Sequence, residues 1–158
     1  MRKTEREIKD IQDIVEVMGQ CDVCRLALND DGYPYIIPLN FGMTFEDGVI
    51  ELIFHSAMEG RKLDLIRKDN RASFEMDCGH QLQYFEDRGY CTFAYESVIG
   101  RGRITILDDD AKAAALDELM RHYHGGEAAY YNPDALPRTT VYKLTVEEIT
   151  GKRKTLKK

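Results

Sequence analysis

An alternation of apolar and polar residues, interrupted by short turns rich in Asp and Gly, is the feature that most constrains how this chain can fold. Cys24, Leu26 and Leu28 fall on one face of a strand with a period of two. An Asp-Asp-Gly turn at 30–32 then leads into a second strand, Tyr33 to Phe41. Strands joined by so short a turn pair antiparallel. The sequence therefore predicts a sheet built from β-hairpins.

Later segments repeat this pattern. A Glu-Asp-Gly turn at 46–48 precedes a strand dense in Ile, Leu and Phe, from Val49 to His55. Gly100 and Gly102 predict a bend or a close backbone approach within a longer strand. The remaining predicted strands cover residues 72–77, Phe93 to Leu107 and Thr139 to Val146.

Three helices are predicted outside these strands. Thr4 and Glu7 have capping-box spacing, and apolar residues recur at helical intervals behind them, so the first helix is expected over residues 4–19. The other two are expected over Glu59 to Lys68 and from Asp108 to Gly126. Helices placed outside a run of hairpins favour a single antiparallel barrel domain over a parallel βαβ sheet.

Two further segments are predicted to be loops. Residues Cys78 to Tyr90 have no clear period and are interpreted as a mobile loop or lid. Residues Ala128 to Arg138, which include Tyr130 and Tyr131, are interpreted as an ordered aromatic loop. Both segments are candidate walls for a planar ligand, because such ligands stack on aromatic side chains.

The segment Phe54 to Ile66 has the composition of an anion site. It ends an apolar strand with His55 and Ser56, passes Gly60, and opens a helix whose first turn carries Arg61 and Lys62. Free backbone N–H groups and the positive end of the helix dipole meet a hydroxyl and two cations there. This combination predicts that Ser56, Gly60, Arg61 and Lys62 bind a phosphate, although a solvated charged turn is the simpler reading of Gly-Arg-Lys alone.

With the segments Pro34 to Phe41 (PYIIPLNF) and Ser97 to Arg103 (SVIGRGR), this site resembles the pyridoxamine 5'-phosphate oxidase-like split β-barrel family, and within it the nitroimidazole-resistance (Nim-type) branch. The resemblance runs from about Arg25 to Lys152. It implies a mainly β (α+β) fold, a split antiparallel β-barrel with peripheral helices, that forms a homodimer and holds FMN in a groove between two barrels.

The resemblance also implies roles for individual residues. The segment Pro38, Leu39, Asn40 and Phe41 would lie along the flavin ring, and Ser97 and Val98 would reach the flavin of the partner subunit. The alternatives remain open: Leu39 and Phe41 as core, Asn40 in a turn, and Ser97 and Val98 as barrel wall. His55 is a candidate for contact with the ring or the substrate, or a structurally hydrogen-bonded histidine.

Composition excludes several classes of function. The net charge of -6 argues against a general nucleic-acid binder. Charged residues throughout the N-terminus exclude a secretory signal or a transmembrane span there, so a cytoplasmic protein is expected. Cys21 and Cys24 form a C-x-x-C without a second close pair, and no metal site is predicted. The basic residues 151–158 are interpreted as a frayed tail, with a polyanion-binding arm as the alternative.

The sequence therefore predicts an FMN-binding oxidoreductase that reduces a small electron-poor acceptor such as a nitroimidazole. The chain has no Trp and ends in ITGKRKTLKK, so it lacks the C-terminal Trp and Arg/His elements with which the pyridoxamine-phosphate oxidases position their substrate. The rival hypothesis is a non-enzymatic protein that binds flavin or haem in the same groove. Redox chemistry of this kind belongs to the cofactor, and the protein contributes binding and electrostatics.

Overall fold

In a computed structural model, which describes residues 4–125, 132 and 134–156, the chain is mostly strand. The helices are α1 (Ile11–Gln20), α2 (Arg61–Lys68) and α3 (Asp109–His124). Short 3-10 turns cover Thr4–Arg6, Glu86–Arg88 and Leu136–Arg138. The strands are β1 (Glu7–Ile8), β2 (Cys24–Leu28), β3 (Tyr35–Leu39), β4 (Gly42–Glu46), β5 (Val49–Ala57), β6 (Arg71–Phe85), β7 (Tyr90–Ile106) and β8 (Thr139–Lys154).

The strands form one antiparallel sheet that curves but does not close. Its order is β3-β2-β6-β7-β8-β5-β4, and β1 adds to β8 outside this path. The two ends, β3 and β4, do not pair with each other within the described residues, although only Asn40 and Phe41 separate them in sequence. The prediction of a mainly β, split antiparallel barrel with peripheral helices is therefore confirmed.

The concave face of the sheet holds the core. Cys24, Leu26 and Leu28 are buried on β2 as their alternation predicts. The inward side chains of β5, β6, β7 and β8 join them, and α1 covers the remaining opening with Ile14, Val17 and Met18. The convex face is left to polar and charged residues with a few exposed apolar ones.

Two glycines in β7 permit the tight curvature, as the sequence predicts. A Cβ at Gly100 would lie 2.5 Å from the ring of Phe74, and one at Gly102 would lie 2.0 Å from the carbonyl oxygen of Thr145. The register of β7 against β8 shifts between Arg101 and Gly102, which is the signature of a bulge. These positions therefore need glycine for close approach.

The N-terminal helix starts later than predicted. Glu7 and Ile8 form β1, which pairs with Gly151 and Lys152 of β8, and the side chain of Ile8 enters the core. α1 begins at Ile11, and the carboxylate of Asp10 caps it by accepting the N–H of Gln12 at 2.9 Å. Strand pairing and burial of Ile8 stabilise the chain more than a capping box between Thr4 and Glu7 would. The predicted span 4–19 is wrong at its start.

The segment Cys78 to Tyr90 is not a loop. β6 and β7 continue through it as a two-stranded ribbon, residues 79–94, which we call the hairpin arm. The register shifts between Cys78 and Gln81, and this bulge erases the period of two that the prediction required. Leu82 opposite Phe93 and Tyr84 opposite Cys91 show that the pairing is regular beyond the bulge.

The C-terminal strand is longer than predicted. β8 runs past Val146 to Lys154, so Gly151 to Lys154 are sheet residues rather than a frayed tail. Strand pairing on both sides, with β7 and with β1, accounts for their order. Lys157 and Lys158, and the predicted aromatic pair Tyr130 and Tyr131 with Gly126, lie outside the described residues. None of the described helices is long and apolar enough to cross a bilayer.

Replacing Gly102 with Ala is expected to destabilise the fold by about 1 to 3 kcal/mol or more, because the new methyl group would overlap the Thr145 carbonyl. Denaturant unfolding monitored by circular dichroism measures this. Gly19→Ala is the matched control: nothing lies within 4 Å of its Cβ position, so it should be neutral or stabilising by up to about 1 kcal/mol. Equal stability of the two variants would contradict the close approach.

Candidate functional site

The start of α2 is built to leave backbone donors free. Gly60 is its N-cap, with φ 136 and ψ 159, a backbone conformation that residues other than glycine rarely adopt. The Gly60 carbonyl accepts the N–H groups of Leu63 and Asp64, at 2.9 and 3.3 Å. The N–H groups ahead of them have no acceptor within the helix, and the helix dipole makes this end positive.

Arg61 lies across the start of β3. Its guanidinium pairs with Asp30, whose side chain is largely buried, and lies over the ring of Tyr35 with 5.3 Å from Cζ to the centroid. At the other end of α2, the Lys68 ammonium lies 3.0 Å from a carboxylate oxygen of Asp31. The turn between β2 and β3 therefore fixes both ends of the helix.

Lys62 and His55 lie near each other at the end of β5. Partial burial lowers the pKa of Lys62, and its ammonium has no ion-pair partner among the described residues. Burial lowers the pKa of His55, and the positive charge of Lys62 lowers it further. The hydroxyl of Ser56, the next residue, donates to the carbonyl of Ala57 at 2.9 Å. The cluster is thus cationic, with a neutral imidazole favoured beside it.

The edge strand β3 meets this cluster at Tyr35, the ring under the guanidinium of Arg61. Pro38 and Asn40 are exposed, whereas Leu39 packs against the core. β3 terminates the sheet, so Pro38 sits on an edge strand, as its missing N–H predicts. Pro38 lies three positions after Tyr35, about 10 Å along the strand, and points to the opposite face. A planar group with its anionic end at α2 would therefore lie along the open edge of β3 rather than on one of its faces.

Phe41 does not share this surface. Its side chain is fully buried and packs on the ring of His122, 4.4 Å between centroids. Its N–H donates to the hydroxyl of Tyr123 at 3.0 Å, and that hydroxyl donates to the carbonyl of Asp22 at 2.9 Å. The core alternative therefore holds for Phe41, whose side chain and N–H are both occupied by contacts within the chain.

Ser97 and Val98 point to opposite faces of the sheet. Val98 is fully buried in the core, so its side chain cannot contact a ligand of another subunit. Ser97 is on the convex face, opposite Asp77 of β6 and Lys152 of β8. Of the two residues expected to reach the partner's flavin, only Ser97 has an outward side chain, because neighbouring strand residues alternate between faces.

Ser97 is too far from β3 to share a ring with it inside one chain. Pro38, Arg25, Glu75 and Ile99 form one cross-strand row, and Ser97 precedes Ile99 by two residues. Three strand spacings therefore separate Pro38 from Ile99, about 14 Å. The structure brings His55 near Lys62 and sets Arg61 of the same helix start against Tyr35 of β3, and it leaves Ser97 apart.

Sequence reasoning missed Asp30 and Tyr35, which position Arg61. Asp30 was interpreted only as a turn residue, and no local spacing reveals that the turn meets a helix thirty positions later. Within residues 4–125 and 134–156, no group of three metal-ligating side chains is close enough together to hold a metal ion.

The fold is that of a split-barrel protein, and the cationic start of α2 is its candidate anion site. Residues 10–153 match the pyridoxamine 5'-phosphate oxidase family, and the chain belongs to that family. A solved structure from Bacteroides thetaiotaomicron, assigned to 5-nitroimidazole antibiotic resistance, is similar at 32% identity and a TM-score of 0.80. The match covers 93% of this chain and 86% of that one.

More distant structures share the fold. A FAD- and haem-binding protein from Mycobacterium smegmatis has 18% identity and a TM-score of 0.80, over 96% of this chain and 74% of that one. A flavocytochrome from Azotobacter vinelandii has 16% identity and a TM-score of 0.78, over 99% and 72%. No curated protein matches the chain.

Replacing Lys62 with Gln is expected to raise the pKa of His55, because a nearby cation disfavours the imidazolium. Burial is the larger cause, so the pKa should stay below its ordinary value of about 6.5. An NMR titration of the imidazole measures the shift. Lys68→Gln, at the far end of α2, is the control and should leave it unchanged; an unmoved pKa in Lys62→Gln would contradict the contact.

Proposed function

We propose that this protein is a cytoplasmic homodimer that binds FMN and transfers electrons to a small electron-poor organic acceptor such as a nitroimidazole. The observation that carries the proposal is the start of α2, where Lys62 has no anionic partner within residues 4–125 and 134–156 and backbone donors are free beside Arg61. The chain belongs to the pyridoxamine 5'-phosphate oxidase family and is similar to a protein assigned to nitroimidazole resistance. That similarity supports the choice of a nitroimidazole as the acceptor.

The residues present fit a phosphate-bearing planar cofactor. Arg61 and Lys62 would hold the phosphate, the first as a planar fork and the second as a point charge. To contact the phosphate, Arg61 would give up part of its ion pair with Asp30. The uncompensated positive charge would therefore come from Lys62 and the start of the helix. The exposed side of β3, with Pro38 and Asn40, would lie along the ring, and Leu39 would support that strand from the core.

The flavin would supply the redox chemistry once bound. The chain's part is to fix its position and its electrostatics: cations near the ring favour its reduced, anionic forms. His55 lies beside Lys62, so it is placed to contact the ring or the acceptor. The convex face of a second subunit, with Ser97, would cover the open side of this surface and exclude water.

FMN should bind more tightly than riboflavin, and changing Arg61 and Lys62 together to Ala should erase most of that preference. Two charge-assisted contacts account for about 2 to 4 kcal/mol of the difference in binding free energy between FMN and riboflavin. Titration with both ligands, followed by flavin fluorescence, measures the difference. Equal affinity of the native protein for the two flavins would refute the phosphate site.

The matched control is the double change of Arg67 and Lys68 to Ala. It removes the same charge from the other end of α2, where the helix dipole is negative and no free N–H groups are presented. The preference for FMN should survive in it. Equal losses in the two double variants would mean that overall charge, and not the helix start, binds the phosphate.

Reduced holoprotein should be reoxidised by a nitroimidazole well above the buffer rate and should form little pyridoxal phosphate from pyridoxamine phosphate. The reason is that the given sequence contains no Trp, one of the residues with which the pyridoxamine-phosphate oxidases position their substrate. Anaerobic stopped-flow mixing measures the first reaction, and an aerobic assay the second. Efficient pyridoxal phosphate formation would contradict the choice of acceptor, and a flavin inert to both, or a haem spectrum of the purified protein, would favour a non-enzymatic binding protein.

A further inference from the structure

A phenol flanked by two cations lies on the convex face of the sheet, away from the site described above. Tyr95 belongs to β7 and shares that face with Ser97, two residues later. Lys152 is the cross-strand partner of Ser97 on β8, and its ammonium lies 5.5 Å from the centroid of the Tyr95 ring. Arg6 approaches the same hydroxyl from the short turn before β1.

This cluster carries excess positive charge. Lys152 is half-buried and forms no ion pair in the described part of the chain, and Arg6 has only Glu5, at 3.8 Å. Hydrogen bonds from Lys152 and Arg6, with their charges, lower the pKa of Tyr95. The other charged or titratable groups on the neighbouring elements are Glu7 of β1, Asp77 and His80 of β6, and Lys154 of β8.

Three of those neighbours are already occupied. Asp77 pairs with Arg25, and the His80 imidazole lies 2.6 Å from the same carboxylate group. Lys154, the cross-strand partner of Tyr95, donates to the hydroxyl of Thr92. Glu7 is the cross-strand partner of Lys152 on β1, but the two form no ion pair. Lys152 and Arg6 are therefore the groups that act on the phenol, and no ion pair within the described residues neutralises Lys152.

We propose that Tyr95, held by Lys152 and Arg6, donates a proton to the acceptor that reacts at the flavin bound by the other subunit. This inference rests on the function proposed above and adds a catalytic residue to it. The acceptor class is a compound whose oxygen gains negative charge on reduction, such as a nitroaromatic. Lys152 and Arg6 are positioning residues that also stabilise the phenolate.

The proton balance of a nitro group shows why a donor is needed. Conversion of a nitro group to a nitroso group consumes two electrons and two protons and releases water. A reduced flavin, once bound, would supply a hydride, which carries both electrons and one proton. The second proton comes from Tyr95: its O–H bond breaks while the acceptor oxygen gains an O–H bond. Tyr95 is only half-buried, so water returns the proton to the phenolate.

The distances within one chain require the donor and the phosphate site to come from different subunits. Ile99 is about 14 Å from Pro38 across the sheet, and Tyr95 lies four residues from Ile99, about 13 Å along β7. A ring on β3 is therefore beyond the reach of Tyr95 of the same chain. A two-fold dimer through the convex faces would place each Tyr95 at the other chain's ring.

The first test uses flavin-free protein. One tyrosine of the native protein should ionise below the ordinary pKa of about 10, and phenolate absorbance measures it. Tyr95→Phe should remove this ionisation, Lys152→Met should move it to higher pH, and Lys152→Arg should restore it. Tyr33→Phe, in an exposed turn, is the control. An early ionisation that survives in Tyr95→Phe would overturn the role of the cluster.

The second test uses reduced holoprotein and a nitroimidazole. Tyr95→Phe should bind FMN normally but be reoxidised about 100-fold more slowly or worse, the usual contribution of a general acid. A donor must be protonated, so the native rate should fall as the pH rises through the pKa of Tyr95, and the variant should lose this alkaline limb. A rate within about twofold of native, with the limb intact, would overturn the proposal.

The third test asks which subunit supplies the phenol. A Tyr95→Phe chain is mixed with a chain that carries Arg61→Ala and Lys62→Ala, and the heterodimer is isolated with two affinity tags. If Tyr95 serves the partner, one of the two sites is intact and about half the native rate returns. If Tyr95 serves its own chain, neither site is intact and no rate returns, which would overturn the trans arrangement. Loss of FMN binding by the native protein would instead refute the proposed function itself.

Discussion

The close packing of β7 against β6 and β8 is the interaction on which the rest of the structure depends. β6, β7 and β8 are each at least fifteen residues long, and they pair along most of that length. Curvature of so long a ladder requires places where backbones approach closely, and Gly100 and Gly102 provide them. The ring of Phe74 fills the space above Gly100 and so connects this bend to the centre of the core. Because the sheet bends there, β3 and β4 approach from its two ends without pairing, and the opening between them remains.

Much of this arrangement could be predicted from the sequence, wherever the signal is local. The turns at 30–32 and 46–48, the glycine bend and the Gly-Arg-Lys helix start each depend on a few adjacent residues, and each is where it was predicted. The failures concern interactions between distant residues. Ile8 joins a strand because Gly151 leaves room for it, 143 positions later. Phe41 is occupied by His122 and Tyr123 of α3, which no spacing around residue 41 reveals.

The predictions of site residues show the same division between local signals and contacts of distant residues. Alternation alone places Ser97 and Val98 on opposite faces of the sheet. The sequence therefore already indicates that their two side chains cannot contact the same ligand. Nothing local, however, says which of the two faces outward; the pairing of β7 with both neighbours decides it. The hairpin arm was missed for a similar reason, since one bulge between Cys78 and Gln81 changes the parity of every later side chain on β6.

The charged side chains on the surface of the domain differ in whether they form ion pairs. On the convex face most charges are paired, as in Arg25 with Glu75 or Arg101 with Glu148. Pairs of this kind contribute little stability on a surface, and the exposed side chains of Ile36 and Ile99 share the face with them. Lys62 near the start of α2 and Lys152 beside Tyr95 are among the described cations that form no ion pair. They lie far apart in one chain, and the two-fold dimer proposed above would bring each next to the other's copy. A dimer would then hold two equivalent sites, each with a cationic end for a phosphate and a second cation for charge that develops during reduction.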